Sequence, residues 1–207
     1  MEGHAHVSPN PGRLDLERRA FLDLLRMANT MAGPVEIARQ LTVVARHLSG
    51  CEAVAIRLKE GPGYPYAASL GFSERFLSLE DDLCLRDEAG HLLRDAQRQP
   101  RLACLCGRVL AGDLDRTQPF FSDRGSFITG STRGLLASAP GALGPTRDRC
   151  PAAGCETMGL FPIRRDGVTY GLIQCNDSRV GQLTAEAVDL MENLAATAAH
   201  LLQLAMA

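Results

Sequence analysis

The sequence MGLFPIR-RDGV-TYGLIQCN, residues 158–176, carries the strongest signal for the fold of this chain. Two runs rich in apolar residues, 158–164 and 169–176, flank the four residues Arg165-Asp166-Gly167-Val168. Asp-Gly is a favoured pair in the tight turns that join antiparallel strands. The segment therefore predicts a β-hairpin.

A second pair of strands is predicted nearer the N-terminal end. Residues 51–58 alternate two sets of side chains, with Val54 and Ile56 on one side and Ala53 and Ala55 on the other. Gly61-Pro62-Gly63 then predicts a turn into residues 64–70, a plausible antiparallel partner. The two hairpins together predict a sheet.

Three segments have the apolar spacing of amphipathic helices. Residues 14–31 and 35–48 are separated by Gly33-Pro34, which ends one helix and begins the next. The last helix is predicted to begin at Thr184, whose hydroxyl can cap it, with Glu186 in its first turn. We therefore expect a disordered leader over residues 1–13, an N-terminal helix over 14–33 and one α+β domain over 34–207.

Composition limits the classes of function. The chain has 207 residues and 45% of them are hydrophobic, so one domain can bury a substantial core. Twenty-two Lys and Arg residues against 24 Asp and Glu give a net charge of −2, which disfavours nucleic-acid binding. The sequence shows neither a secretory signal nor an apolar run of about 18 residues. We expect a cytoplasmic protein that does not enter a membrane.

Cysteines are concentrated in the polar middle of the chain. Cys84, Cys104, Cys106 and Cys150 lie there, and Cys104-Leu105-Cys106 is expected on an irregular loop. Four thiolates are enough for a tetrahedral zinc site or an iron–sulfur cluster, although the spacing differs from the common motifs. Two alternatives stay open. The thiols are redox-active without a metal, because nearby arginines lower a thiol pKa, or they only fill a pocket.

The other cysteines are read differently. An odd number of cysteines, seven, in a reducing compartment argues against a structural disulfide framework. Cys51 and Cys175 fall in predicted strands, where burial is expected. Cys155 is left without a role.

The element order, helix, two strands, a long polar segment, a hairpin and a closing helix, is that of a GAF domain. Over about residues 35–204 the chain resembles the GAF sensor modules of bacterial PAS-containing histidine kinases. The stretches that carry the resemblance are Gly63-Tyr64-Pro65-Tyr66, Leu70-Gly71-Phe72, Cys104-Leu105-Cys106-Gly107, Pro119-Phe120-Phe121, Gly125-Ser126-Phe127, Ser131-Thr132, Arg147-Asp148-Arg149-Cys150 and Gly171-Leu172-Ile173-Gln174-Cys175-Asn176-Asp177. The chain differs from that pattern at Cys155, where an aromatic residue is usual.

The resemblance implies a central antiparallel sheet with the N- and C-terminal helices on one side and a long irregular or partly helical segment on the other. It also implies that the loop cysteines belong to the signature of the subfamily. A GAF pocket lies between the sheet and the middle segment and holds a cyclic nucleotide, haem, bilin or small metabolite. Candidate pocket residues are Phe121, Ser126, Phe127, Thr129, Ser131 and Thr132. Turn chemistry for the hydroxyl residues and core packing for the phenylalanines are an equal alternative.

The last helix carries a near-heptad seam of apolar residues. Its members are Val188, Met191, Ala195, Ala198 and Leu202. Such a seam predicts either a homodimer that signals through its terminal helices or packing within the domain alone. With no PAS or kinase segment in the sequence, the expected output partner is a separate histidine kinase or another protein.

Two functions from different classes follow. The sequence shows no phosphate-binding loop, nucleophile elbow or His-Glu-x-x-His helix, so we expect a non-enzymatic sensor. Its cysteine-lined site would bind a metal or cluster or sense redox state. The alternative is a GAF-fold thiol oxidoreductase similar to free methionine-(R)-sulfoxide reductase, with Cys104 as the nucleophile and Cys106 as the resolving thiol.

Overall fold

A five-stranded antiparallel sheet forms the centre of the computed structural model. The structure describes residues 33–138, 141 and 146–206, together with four separate helical residues, Arg18, Arg19, Leu22 and Arg26. The predicted leader over residues 1–13 and most of the predicted helix over 14–33 lie outside the described residues.

The strands follow the predicted hairpins closely. They are β1 (Ala53–Leu58), β2 (Tyr66–Leu70), β3 (Phe127–Thr129), β4 (Thr157–Arg165) and β5 (Val168–Asp177). Their order in the sheet is β2-β1-β5-β4-β3, and every neighbouring pair is antiparallel. The hairpin β4–β5 therefore lies between the two edge strands.

The turn of this hairpin confirms the prediction. Asp166 and Gly167 have φ angles of 52° and 78°, so both adopt left-handed backbone. Two consecutive positive φ values define the tight turn whose twist matches paired strands, and Asp-Gly accepts that conformation at little cost. Pairing continues from Arg165 opposite Val168 to Thr157 opposite Asp177, one residue beyond the predicted ends.

Six helices are complete within the described residues. They are α1 (Pro34–Ser49), α2 (Glu74–Glu80), α3 (Cys104–Ala111), α4 (Thr132–Ser138), α5 (Arg149–Ala152) and α6 (Ala185–Ala205). α1 ends at Gly50 in a left-handed conformation, and Thr184 Oγ1 caps α6 by accepting the Ala187 N–H at 3.2 Å. Within the described part of the chain, no helix combines the length and apolar character that crossing a membrane requires.

The sheet separates two apolar cores. Alternate residues such as Ile56, Phe161 and Ile173 face α1 and α6 and are fully buried there. Their neighbours Leu160 and Leu172 face the middle segment, where α3 packs against β4 and β5. The period of two along each strand thus gives every central strand two buried sides. The predicted α+β architecture, with terminal helices on one side, is confirmed.

A compact double turn, which the sequence analysis did not predict, precedes α3. Residues 85–92 and 93–100 are consecutive eight-residue units of the same design. In each, an aspartate carboxylate accepts two turn N–H groups, Asp87 those of Ala89 and His91 and Asp95 those of Gln97 and Gln99. The two ends of the segment are hydrogen-bonded to each other, because the Ala103 N–H donates to the Leu83 carbonyl at 2.7 Å. This closure fixes the start of α3.

The prediction of an irregular loop at Cys104-Leu105-Cys106 is wrong, because these residues form the first turn of α3. The N-cap residue, Ala103, makes no side-chain capping bond. Cys104 itself has a φ of 64°, which is unusual for a residue that is not glycine. Because the usual helix-start signals are missing, this helix could not be predicted from the sequence.

Gly171 provides a test of the packing at the sheet centre. It pairs with Leu58, and an added Cβ would lie 2.1 Å from the Arg57 carbonyl oxygen. We predict that Gly171→Ala lowers the free energy of unfolding by at least about 2 kcal/mol, because two paired strands must separate. Urea unfolding followed by circular dichroism measures the change. Gly130→Ala is the control, since its Cβ meets backbone at 3.4 Å. Equal effects of the two substitutions would contradict this packing.

Candidate functional site

A cavity of about 40 Å³ lies between the sheet and the middle segment, on the side away from α1 and α6. Three thiols line it: Cys104 and Cys106 from α3, and Cys150 from α5. The cavity also has an apolar wall, formed by Leu105, Phe127, Leu135, Leu136 and Met158. Three of the four cysteines singled out from the sequence therefore meet at one place, although two separate helices supply them.

Cys84 does not join them at this cavity. Its thiol donates a hydrogen bond to the Pro62 carbonyl at 3.6 Å. Its backbone forms an isolated antiparallel β-bridge with Leu102 at the base of the double turn. Burial and the neighbouring Asp82 carboxylate raise the pKa of this thiol. Cys84 therefore holds the double turn against the loop before β2.

Four thiolates on one zinc ion require sulfur atoms about 2.3 Å from the metal. Among the described residues, no group of three or more His, Cys, Asp and Glu side chains has an arrangement that could hold a metal ion. All seven cysteines belong to the described residues. The residues as placed do not fit zinc or an iron–sulfur cluster, which stays a prediction from the sequence, and no step below uses a metal.

The cavity thiols differ in exposure and protonation. Cys106 and Cys150 are buried, whereas Cys104 is partly exposed. Burial raises the pKa of Cys106 to about 12, and the positive charge of Arg57 opposes this only in part. Burial also raises the pKa of Cys150 well above its usual range. At neutral pH the two buried thiols are protonated. Cys104 is the most accessible of the three to a reagent from solvent, because it alone is partly exposed.

The structure divides the six predicted pocket residues into two groups. Phe127, Thr129 and Thr132 line the cavity. The other three, Phe121, Ser126 and Ser131, have contacts elsewhere. Phe121 packs edge-on against Phe127 with ring centroids 5.8 Å apart.

Hydroxyl groups around the cavity are engaged by the protein. Thr132 Oγ1 donates to the Cys155 carbonyl at 2.5 Å, and Thr129 Oγ1 donates to the Ser131 carbonyl at 3.1 Å. Ser131 Oγ donates to Glu156 at 2.9 Å and accepts the Gly134 N–H. Turn and capping chemistry, one of the two readings of the sequence, accounts for these contacts.

Arg57 is a functional candidate that the sequence analysis missed. The side chain is fully buried on β1 and donates to the carbonyls of Tyr64, Glu80 and Asp81 at 2.6–3.0 Å. Its guanidinium carbon lies 3.6 Å from the centroid of the Tyr66 ring. Nε is buried without a hydrogen-bond partner in the described part of the chain. Arg57 thus connects the sheet to the C-terminal end of α2.

The C-terminal end of α2 in turn holds α5. Glu80 is buried and accepts from Arg149 Nη1 at 2.8 Å, with Arg147 Nη1 3.8 Å away. Arg149 also donates to the Leu79 carbonyl. Because Glu80 and Arg149 both line the cavity, this ion pair closes the side of the cavity next to Cys150.

A buried row of polar side chains crosses the same face of the sheet. Tyr66 Oη donates to Gln174 Oε1 at 3.1 Å, and Gln174 Nε2 donates to Asn176 Oδ1 at 3.3 Å. Asn176 Nδ2 then donates to Cys155 Sγ at 3.1 Å. The alternation of Gln174 and Asn176 with buried apolar residues of β5 was visible in the sequence. This alternation predicts a polar face on β5, which was not among the expectations drawn from the sequence.

Cys51 and Cys175 lie on the opposite face of the sheet. Both are buried in the core beneath α1 and α6, as predicted for strand cysteines. The Cys51 thiol donates to the Ser49 carbonyl at 3.9 Å, and burial raises the pKa of Cys175 well above its usual range. These two thiols therefore belong to the helix-side core.

The predicted seam of α6 faces this same core. Met191, Ala195, Ala198 and Leu202 are buried beneath the helix, and Val188 packs partly buried against them. Packing within the domain, the second reading of the sequence, accounts for these five residues. The homodimer stays a prediction, and this seam does not present a free surface for it.

The family model for the GAF domain matches residues 33–202. This match covers most of the chain, so the chain belongs to the GAF domain family. No curated protein matches the chain significantly.

Solved structures support the assignment at the level of the fold. The GAF domain of a phosphoenolpyruvate-protein phosphotransferase from Acinetobacter superposes with a TM-score of 0.59 at 12% identity, covering 96% of each chain. Free methionine-R-sulfoxide reductase from Neisseria meningitidis gives 0.59 at 12% identity over 99% of this chain and 98% of that chain. A domain assigned to a two-component sensor histidine kinase of Sinorhizobium meliloti 1021 gives 0.54 at 14%, covering 83% and 92%.

The Glu80–Arg149 ion pair generates a prediction. Arg149→Met should lower the free energy of unfolding by about 1–3 kcal/mol, because it leaves a buried carboxylate with only the distant Arg147. It should also speed alkylation of Cys150. Chemical denaturation and mass spectrometry of alkylated peptides measure the two effects.

The control for this prediction is Arg133→Met. Arg133 pairs with Glu156 at 2.9 Å, but its side chain is 84% exposed, against 40% for Arg149. Glu156 is 13% exposed but keeps the Ser131 hydroxyl as a donor, so loss of the exposed Arg133 should cost under about 1 kcal/mol. An Arg149→Met protein as stable as Arg133→Met, with unchanged Cys150 alkylation, would show that the ion pair does not close the cavity.

Proposed function

We propose that this chain is a non-enzymatic GAF sensor module whose cavity thiols respond to a small oxidant. The observation that carries the proposal is the convergence of Cys104, Cys106 and Cys150 on one cavity, with no arrangement among the described residues that could hold a metal ion. The fold also resembles a domain assigned to a sensor histidine kinase. The cytoplasm predicted from the sequence is reducing, so free thiols would be the resting state.

The size of the cavity favours a small reactive signal. At about 40 Å³ it is far smaller than the roughly 300–1,000 Å³ typical of sites for drug-sized ligands and cofactors. A few water-sized molecules fit such a volume. A hydroperoxide meets this limit.

Of the three cavity thiols, Cys104 is the one that a hydroperoxide meets first, because Cys106 and Cys150 are buried. The Cys104 thiolate attacks one peroxide oxygen and the O–O bond breaks. Water or an alcohol leaves with a proton, and Cys104 becomes a sulfenic acid. The thiol is oxidised by two electrons, and the peroxide is reduced by two.

The sheet gives a direct path from the cavity to the helices. Leu160 and Phe161 are neighbours on β4, yet they face opposite cores, and Leu172 and Ile173 do the same on β5. Leu160 and Leu172 belong to the same core as Cys106 and Cys150, although they do not line the cavity. A new oxygen on a cavity sulfur would shift this core, and close packing would carry the shift to α1 and α6. These helices would then report to a second copy of the chain or to a separate histidine kinase.

A thiol reductase is the second candidate, because free methionine-R-sulfoxide reductases share this fold. Such an enzyme needs a reactive thiolate and a resolving thiol at the substrate. Here the cavity that holds Cys104 and Cys106 has a volume of about 40 Å³. Free methionine sulfoxide is too large for that volume, which favours the sensor over the enzyme.

Hydrogen exchange tests the sensor function. We predict that one equivalent of hydrogen peroxide changes amide exchange in α1 and α6 about fivefold, which corresponds to about 1 kcal/mol in the opening free energy. Cys104→Ser should abolish the response. Cys84→Ser, which removes a thiol away from the cavity, should respond like the wild type.

Two outcomes would refute the proposal. Helix exchange that stays constant while mass spectrometry shows Cys104 oxidised would rule out transmission to the helices. Consumption of free methionine-(R)-sulfoxide with a thiol reductant, lost in Cys104→Ser, would establish the reductase instead.

A further inference from the structure

Cys155 lies beyond the first cavity and has no part in the function proposed above. It is partly exposed, on the turn between α5 and β4. Its side chain lines a separate open cavity of about 260 Å³, together with Glu52, Phe72, Phe76, Asn176 and Asp177. A reagent can therefore reach Cys155 without entering the 40 Å³ cavity.

The backbone brings Cys155 next to Cys150. The Cys155 N–H donates to the Cys150 carbonyl at 3.1 Å, so the intervening residues form one closed turn. Gly154 makes this turn possible with a φ of 81°. A disulfide needs Cα atoms about 4.4–6.8 Å apart, which a closed turn of this kind can provide.

One buried amide orients the Cys155 sulfur atom. Asn176 Nδ2 donates to Cys155 Sγ at 3.1 Å. The Asn176 amide is itself fixed, because its Oδ1 accepts from Gln174 Nε2 at 3.3 Å. Asn176 is 1% exposed, so water does not compete for these bonds. A rigid side chain of β5 thus fixes the position of the Cys155 sulfur beside the second cavity.

We propose that Cys150 and Cys155 form a dithiol that a hydroperoxide converts to a disulfide, with Cys155 as the attacked thiol and Cys150 as the resolving thiol. Cys155 is the partly exposed member of the pair and opens to the larger cavity, whereas Cys150 is buried. Asn176 is a positioning residue that holds the Cys155 sulfur in place through its hydrogen bond.

The chemistry balances in two steps. The Cys155 thiolate attacks a peroxide oxygen, the O–O bond breaks, and an alcohol or water leaves, which gives Cys155 sulfenic acid. The Cys150 sulfur then attacks the Cys155 sulfur, and the sulfenic oxygen leaves as water with the Cys150 proton. The two thiols lose two electrons in total, and the peroxide gains them.

The protonation state of Cys155 sets the pH dependence. Burial raises the pKa of this thiol above its usual range, and the Asn176 hydrogen bond opposes that change only in part. The thiolate is the attacking species, so the oxidation rate should keep rising with pH above the ordinary thiol pKa. A plateau at or below that pKa would contradict the assigned attacking thiol.

Peptide mapping of the full chain tests the pair. Cleavage after Arg149 and Arg164 releases residues 150–164, a peptide whose only cysteines are Cys150 and Cys155. After hydrogen peroxide treatment, this peptide should become two hydrogen masses lighter and resist iodoacetamide. Dithiothreitol should reverse both changes. Retention of two alkylatable thiols, or a disulfide from Cys150 to another peptide, would overturn the proposal.

Variants separate the roles. Cys155→Ser should prevent the mass loss, and in Cys150→Ser the Cys155 sulfenic acid should accumulate and react with dimedone. Asn176→Val should slow disulfide formation at least severalfold, whereas Cys84→Ser should leave it unchanged. Circular dichroism confirms folding of each variant, and Cys155→Ala replaces Cys155→Ser if that protein does not fold. Equal rates in Asn176→Val and wild type would remove Asn176 from the mechanism.

This inference shares only Cys150 with the proposed function, and the two can fail separately. The disulfide should still form in Cys104→Ser, which abolishes the helix response of the proposed sensor. A helix response with no disulfide would refute the pair alone. A disulfide with no helix response would refute the sensor and leave the dithiol intact.

Discussion

The contacts of the buried Arg57 guanidinium determine where the rest of the site lies. A charge in the middle of a sheet must find hydrogen-bond acceptors, and Arg57 finds them in the carbonyls of Tyr64, Glu80 and Asp81. This fixes the C-terminal end of α2 over the sheet. Glu80 then binds Arg149, and Arg149 brings Cys150 to the cavity. The thiol site thus depends on a residue of β1 that is not itself a thiol.

In the proposed function, the same sheet separates the cavity thiols from the helices that would transmit the signal. One face carries Arg57, the polar row from Tyr66 to Asn176 and the cavity thiols, whereas the other face packs against α1 and α6. Adjacent residues of β4 and β5 belong to different cores, and the proposed signal passes between the two faces through these neighbours. Cys150 lines the first cavity and also accepts the Cys155 N–H that closes the turn after α5. It therefore belongs both to the cavity thiols and to the proposed dithiol.

Local signals made the hairpin, the Thr184 cap and the layered fold predictable, because turn chemistry and strand alternation act over a few residues. Contacts between residues that meet only through the tertiary fold were harder to predict from the sequence. The double turn directs Cys84 away from the cavity, and no spacing rule reveals this. The seam of α6 is ambiguous, because the same apolar stripe suits a core and a dimer. Arg57 was visible as a charge inside an apolar strand, but its carbonyl partners lie up to 24 residues away.

Native-state labelling of all seven thiols tests the arrangement most directly. A short pulse of iodoacetamide on the reduced protein, followed by peptide mass spectrometry, ranks the cysteines by rate. Cys104 and Cys155 are the partly exposed thiols, and five others are buried. The structure therefore predicts that these two react at least about tenfold faster than Cys106 and Cys150. Labelling of Cys106 or Cys150 as fast as Cys104 would contradict a closed, thiol-lined cavity.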